Sequence, residues 1–409
     1  MNRKLNIVLF CCLIYTSYCA GQVAGDSAVT AKAREIAQRI QLKYAPDKRT
    51  DIFEIAQDVS DTVKIRTTIP AAATEFTDLL KSVQPGKLVK TQMLPGTELG
   101  SKVFGIVRLS VSNNRKNPEN AAEMVTQMLL GTPIQVLEKY RGYYLVRSPD
   151  RYISWVDNDA IALMEKADLD TWQKSEKVVF TADYGYSFSK ADQASLRVSD
   201  LVKGDILKLE GKEKSFYKVS YPDGRTAYIP LAEAVSYKNW IERKNPTAEQ
   251  ILSTAKTLIG VPYLWGGTSV KGVDCSGFTK TSYFLNGIIL PRDASQQALV
   301  GEPVDIYEAD TVNLDKCLKN LKAGDLLFFA GSKGKTANPK VTHTAIYMGN
   351  GEFIQSAGMV RINSMIPNSG NYADYQSRTL VSARRMLTSI GQPQVTRIDQ
   401  NPFYTSAKK

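Results

Sequence analysis

Histidine and cysteine are scarce in this sequence, so each one that remains near a structured element is a candidate for chemistry. Among 409 residues there is one histidine, His343, and there are five cysteines, of which Cys11, Cys12 and Cys19 fall in an apolar N-terminal stretch. Cys275 follows a glycine-punctuated loop (Gly260-Val-Pro-Tyr-Leu-Trp-Gly-Gly, then Val273-Asp274) and precedes Ser276-Gly277-Phe278, with Tyr283, Phe284 and a stop at Asn286-Gly287. That pattern predicts a helix with Cys275 in or beside its first turn. Free N–H groups and the positive end of the helix dipole favour a thiolate there, so the expected pKa is lowered toward working pH. The N–H of Cys275 is also placed to help hold an oxyanion. A thiolate nucleophile needs a group that takes and returns a proton, and imidazole is the usual one. His343 opens the apolar run Thr344–Met348 after the β-like run Leu326–Phe329, which ties it to a sheet. The competing readings are a buried apolar cysteine and a histidine used for packing. A metal site is not expected, because one His and two Cys cannot build an ordinary zinc site without carboxylates at ligand spacing.

The elements that must position these residues are legible in outline. Met1-Asn2-Arg3-Lys4 and the apolar stretch Leu5–Tyr15 read as a signal peptide ending near Ala20, too short for a permanent membrane helix. None of its cysteines follows the small residue a lipoprotein signal needs, so lipidation is not expected. Its removal leaves Cys275 and Cys317, with no disulfide framework beyond one pair, and takes the formal charge from +11 to +9. A diffuse positive charge suits anionic envelope polymers, and no basic run or basic–aromatic interleaving marks a nucleic-acid binder. Apolar residues from Val29 to Tyr44 recur at three and four, predicting a helix closed by Pro46. A mixed region follows to about Val89, with a β-rich stretch at Val63–Ile69 and a helix around Thr74–Lys81. Then comes a repeat with a constant offset of 73 residues: Gly131–Glu138 leads to Tyr143–Asp150, and Gly204 onward leads to Phe216–Asp223. Each unit reads as short alternating strands, a Pro-Asp turn and a closing strand, Tyr152–Val156 or Ala227–Pro230. Thr247 starts a further helix that ends at Gly260.

The repeat units resemble bacterial SH3 domains. The stretch from Thr247 to about Met386 resembles the NlpC/P60 family, on Asp274-Cys275-Ser276-Gly277-Phe278, Pro291-Arg-Asp-Ala-Ser-Gln-Gln297, Ala323-Gly-Asp-Leu-Leu-Phe328 and the histidine strand, in the family order. The resemblance implies an α+β fold: a papain-like catalytic domain preceded by two SH3-like β-barrels and an N-terminal helical segment. The expected division is signal 1–20, helical or mixed region 21–90, first SH3-like domain 91–165, second 170–240, peptidase 245–390 and tail 391–409. It also implies a cysteine peptidase with Cys275 as nucleophile, His343 as base, Gln355 as the third polar residue and Tyr263 donating to the oxyanion. A core tyrosine is the alternative for Tyr263, and Cys317, with no base or glycine loop beside it, reads as structural. Gln355 accepts a hydrogen bond and fixes the imidazole tautomer without stabilising the imidazolium as a carboxylate would. Strand parity tests that role. A two-residue Asn350-Gly351 turn would pair Ile346 with Gln355, on the wrong face, whereas a three-residue turn pairs Ala345 with Gln355 and puts it on the face of His343, so the longer turn is expected.

The order of domains resembles the YkfC-like branch of the family, and this implies a narrower substrate. In that branch the first SH3-like domain caps the groove, so that only stem peptides with a free N-terminal L-alanine fit. By motif Asp274, Glu123 and Tyr152 would receive the ammonium. Trp265 would wall the pocket, Ser276 would bind the peptide backbone and Ser295 would line the site; a solvated acid or barrel-core aromatic is the alternative for Glu123 and Tyr152. The implied reaction hydrolyses the bond from γ-D-glutamate to L-lysine or meso-diaminopimelate in peptidoglycan stem peptides, releasing L-Ala-γ-D-Glu for recycling. The chain is expected to be exported to the periplasm or cell envelope and to act as a monomer, with no cofactor, nucleic acid or integral membrane segment. Two alternatives stand beside this: a wall-remodelling endopeptidase on intact peptidoglycan, and a non-catalytic SH3-type wall-binding protein.

Overall fold

In the computed structural model residues 31–59, 61–241 and 245–406 are described; the expected signal segment and its three cysteines lie outside them. The chain divides into two units, residues 1–93 and 94–409. In the first, the helix Ala31–Tyr44 buries Ala33, Ile36 and Ile40, and a second helix, Pro70–Val83, has proline at its start, where the missing N–H costs nothing. Both pack on a three-stranded sheet in which Thr62–Thr67 pairs antiparallel with Phe53–Val59 and parallel with Leu88–Met93.

The second unit opens with two seven-stranded sheets of identical strand order. Strands 104–107, 111–115, 124–129, 133–140, 143–147 and 153–157 of the first return, 73 residues on, at 177–180, 184–188, 197–202, 206–213, 216–220 and 226–230 of the second. Even the β-bulges correspond, between Val136 and Glu138 and between Leu209 and Gly211. The repeat is therefore one folding instruction written twice. Gly131 shows why a side chain is excluded where the two sheets meet: its φ is +81°, and a Cβ there would stand 2.2 Å from the carbonyl oxygen of Ile206.

Thr247 caps the helix Ala248–Thr257 through a capping box with Gln250. This helix and the helix Cys275–Phe284 pack on one face of a six-stranded antiparallel sheet, against Leu326, Phe328, Ile346, Ile354 and Val360. The alternate residues Leu327, Phe329, Ala345, Tyr347 and Phe353 face the other way and bury Cys317, whose thiol is pushed up to about 11 by burial. Cys317 thus sits in an apolar cluster where burial outweighs the pull of Lys333. The tail is not loose: Thr396–Arg397 pairs with Ile288–Ile289, and Ile398 and Tyr404 are buried with Trp240. Among the described residues no helix is long and apolar enough to cross a membrane.

Candidate active site

Asp274 is the N-cap of the helix that begins at Cys275, and its carboxylate accepts the Gly277 N–H at 2.6 Å. This fixes the first turn and aims the sulfur. Cys275 Sγ lies 3.9 Å from the carbonyl oxygen of Thr342, while the N–H groups of Thr344 and Ser276 are turned toward it. The sulfur therefore rests against the backbone on both sides of His343, the first residue of strand His343–Gly349.

The imidazole is half-buried against Phe329, with ring centroids 5.5 Å apart, and its Nε2 is 2.6 Å from Gln355 Oε1. The Gln355 amide is oriented in turn, because its NH2 group donates to Asn363 Oδ1 at 2.8 Å and Asn363 donates to the carbonyl of Asn371 at 3.1 Å. With its amide nitrogen spent on Asn363, Gln355 presents oxygen to the ring. Nε2 must then carry the proton, which leaves Nδ1 free to accept one. Replacing Gln355 by leucine is expected to lower kcat about tenfold or more at nearly constant KM, since a bond that sets the tautomer is lost while substrate contacts stay; an unchanged kcat would remove Gln355 from the site.

The way the chain brings Gln355 to this face differs from the expectation. Asn350 and Gly351, with φ of 50° and 78°, form a two-residue turn closed by the Gly349–Glu352 pair. A turn of that length alone would send Gln355 to the opposite face. A β-bulge between Tyr347 and Gly349 restores the parity: Tyr347 pairs with Phe353 and Ile346 with Ile354, so Ala345 stands opposite Gln355. The register is the expected one, reached by a bulge in place of a longer turn.

The lowered thiol pKa expected from the helix start is reversed. Burial, with Cys275 only 7% exposed, and the adjacent Asp274 carboxylate push the thiol up to about 11, against the smaller opposite pull of the Thr344 and Ser276 N–H groups and Arg292. Burial likewise holds His343 below its ordinary value, although the Gln355 bond and the Asp274 charge oppose it. Both shifts favour the uncharged forms. In those forms a thiol stands beside an imidazole able to take its proton. Tyr263 lies in the same field: burial first, then the Cys275 and Asp274 charges, raise its phenol, which stays a hydrogen-bond donor at neutral pH.

The expected binding residues do not all stand free. Trp265, 60% exposed, donates its indole N–H to Glu123 Oε1 at 2.9 Å, bringing the first seven-stranded sheet to the rim of the cysteine loop. Glu123 also pairs with Lys116 at 3.7 Å. Ser295 is half-buried in the short helix Ala294–Gln297. Asp274 and Ser276 have another use. Asp274 receives the N–H groups of Gly277 and Gly266, the Ser276 hydroxyl and two nitrogens of Arg292, which exhausts the roughly four lone-pair positions of a carboxylate. Ser276 is buried between Asp274 and Arg292. Tyr152 is buried within the field of the same guanidinium. Arg292 carried no role in the sequence reading; its one signal was a lone basic residue amid the small and polar residues of Pro291–Gln297.

A cysteine on a helix start, a histidine strand on an antiparallel sheet and a glutamine behind the imidazole define a papain-like cysteine hydrolase. A family model described as the NlpC/P60 family matches residues 260–385, and one described as the bacterial dipeptidyl-peptidase Sh3 domain matches residues 114–161. A γ-D-glutamyl-L-lysine dipeptidyl-peptidase of Bacillus cereus is 30% identical over 264 residues, 62% of this chain and 74% of that protein. Dipeptidyl-peptidase 6 of Lysinibacillus sphaericus is 27% identical over 276 residues, 64% of this chain and 91% of that one. The crystal structure of an NlpC/P60 family protein from Bacillus cereus superposes with a TM-score of 0.57 at 23% identity, covering 69% of this chain and 99% of the other, which shows a shared fold. The chain belongs to the NlpC/P60 family of cysteine peptidases, and carries an SH3-like domain of the dipeptidyl-peptidase kind.

Proposed function

We propose that this enzyme hydrolyses the bond between γ-D-glutamate and L-lysine or meso-diaminopimelate in peptidoglycan stem peptides whose N-terminal L-alanine is free, releasing L-Ala-γ-D-Glu. The observation that carries this reading is the Glu123–Trp265 bond of 2.9 Å, which sets an exposed carboxylate of the first SH3-like sheet over the loop leading to Cys275. A wall at that place limits how far a substrate extends beyond two residues on the acyl side. Its carboxylate offers the countercharge that an alkylammonium needs once it leaves water. The names of the Bacillus cereus and Lysinibacillus sphaericus relatives support dipeptide release.

In this reading Cys275 Sγ attacks the γ-carbonyl as its proton passes to His343. Tyr263 donates to the oxyanion, and collapse of the tetrahedral adduct gives a thioester as the imidazolium returns its proton to the leaving amine. Water then attacks the thioester with His343 again as base, freeing the dipeptide and the thiol. Glu123 takes the ammonium, Trp265 walls the pocket, and Ser295 and Tyr152 line it, while Asp274 and Ser276 serve the nucleophile from beneath. The basic-then-apolar leader supports export, and soluble muropeptides in the envelope are the substrates that recycling requires.

The test compares L-Ala-γ-D-Glu-L-Lys with the same peptide acetylated at its amine. Acetylation removes the charge and adds bulk against the wall, so kcat/KM is expected to fall by about a hundredfold or more. Equal rates on the two peptides would mean an open groove and a wall-remodelling endopeptidase.

A further inference from the structure

The side chain of Arg292 is only 1% exposed, and the mechanism above does not require it to touch substrate. Its five N–H donors are a fixed fork. Nη2 donates to Asp274 Oδ2 at 2.6 Å, Nη1 donates to Asp274 Oδ1 at 3.2 Å and to Ser276 Oγ at 3.1 Å, and Nε donates to Thr126 Oγ1 at 2.8 Å. Thr126 belongs to the strand Met124–Leu129 of the first SH3-like sheet, whereas Asp274 and Ser276 flank the nucleophile. One buried cation therefore spans the sheet that caps the groove and the residue that caps the nucleophile helix.

The neighbouring bonds make the same junction. Gln127 Oε1 accepts the Thr268 N–H and the Ser269 hydroxyl, both at 3.1 Å, and its carbonyl accepts the Thr268 hydroxyl at 3.0 Å. Gly266, with φ of +78°, comes so close to this strand that a Cβ would lie 2.6 Å from the Met124 carbonyl oxygen, and its N–H donates to Asp274 Oδ2 at 2.9 Å. The loop docked on the SH3-like strand is thus the loop that holds the Asp274 carboxylate. We propose that Arg292 is a positioning residue that couples docking of the first SH3-like sheet to the aim of Cys275, so that the nucleophile is set only when the capping sheet is seated. A bidentate carboxylate fork resists rotation in its own plane, and the Nε–Thr126 bond fixes that plane relative to the sheet. Without it the Asp274 cap, and the sulfur one residue on, loses its reference.

The decisive variant is Thr126→Val, which keeps the shape and removes the acceptor without touching substrate or sulfur; Thr126→Ser restores the hydroxyl. Two readouts are measured: kcat and KM on L-Ala-γ-D-Glu-L-Lys, which rest on the proposed dipeptide release, and the rate of Cys275 alkylation by iodoacetamide, which does not. Thr126→Val is expected to lower kcat and the alkylation rate together by about tenfold, the size of a hydrogen bond to a charged group, with KM within about twofold. Thr126→Ser should recover both. Arg292→Lys, which keeps the charge but not the fork, is expected to lower both by about a hundredfold. A folded Thr126→Val with wild-type kcat and alkylation overturns the coupling, as does an equal fall in Thr126→Val and Thr126→Ser, which would signify packing alone. Should Thr126→Val not fold, a folded Arg292→Lys with wild-type alkylation overturns it. Peptide resistance in the wild type with alkylation changed in the variants would refute the substrate reading and leave the coupling intact.

Discussion

Cys275→Ala is expected to reduce turnover by more than about a thousandfold while binding of L-Ala-γ-D-Glu-L-Lys stays near the wild-type value. Removing a nucleophile leaves only what binding and oxyanion donors provide, and the loss belongs to kcat. The fold should survive, because the Asp274 cap on Gly277 and the helix contacts of Phe278 and Tyr283 do not involve the sulfur. Calorimetric titration of the variant and product assay of the same sample give both quantities. Residual turnover near the wild-type rate would place the nucleophile elsewhere. Cys317 is not an available substitute, being 1% exposed in an apolar cluster.

His343→Ala is expected to cost about a thousandfold in kcat/KM at pH 7, the range of general acid–base catalysis, and to change the form of the pH profile. In the wild type the imidazole is held below its ordinary 6.5, so it is neutral and competent at pH 7, and activity falls only as pH drops through that lowered value. The thiol, pushed up to about 11, remains protonated across the same range, so no loss from its ionisation is expected below pH 9. Without the imidazole the only route to a thiolate is direct titration, and the residual rate should then rise about tenfold per pH unit up to the thiol pKa, in place of the wild-type limb set by the imidazole. A profile for His343→Ala parallel to that of the wild type would show that another group takes the proton.

Much of the site is legible in the sequence. The helix from 275 and the histidine at a strand start follow from short-range rules of turn chemistry and periodicity, which a local sequence specifies by itself; the cap at Asp274 did not. The second repeat, offset by 73 residues, carries the same strands and bulges because the same local pattern recurs. Other features had no local signature. The bulge before Gly349 is a register choice between two strands, decided by which faces must be buried. The tail gave no periodic pattern because its few anchors, Val395, Ile398 and Tyr404, fill gaps left by distant elements.

The sequence by itself determined the reagents: one imidazole, a thiol on a helix start, and a repeat before them. Tertiary structure decided how those reagents stand. Burial pushes up a thiol that the helix start alone would lower, and a guanidinium brought from residue 292 pairs with the carboxylate beside it. The physical reason is common to both. Desolvation and charge pairing depend on which groups converge in three dimensions, and Thr126, Asp274 and Arg292 converge only after three separate segments have packed.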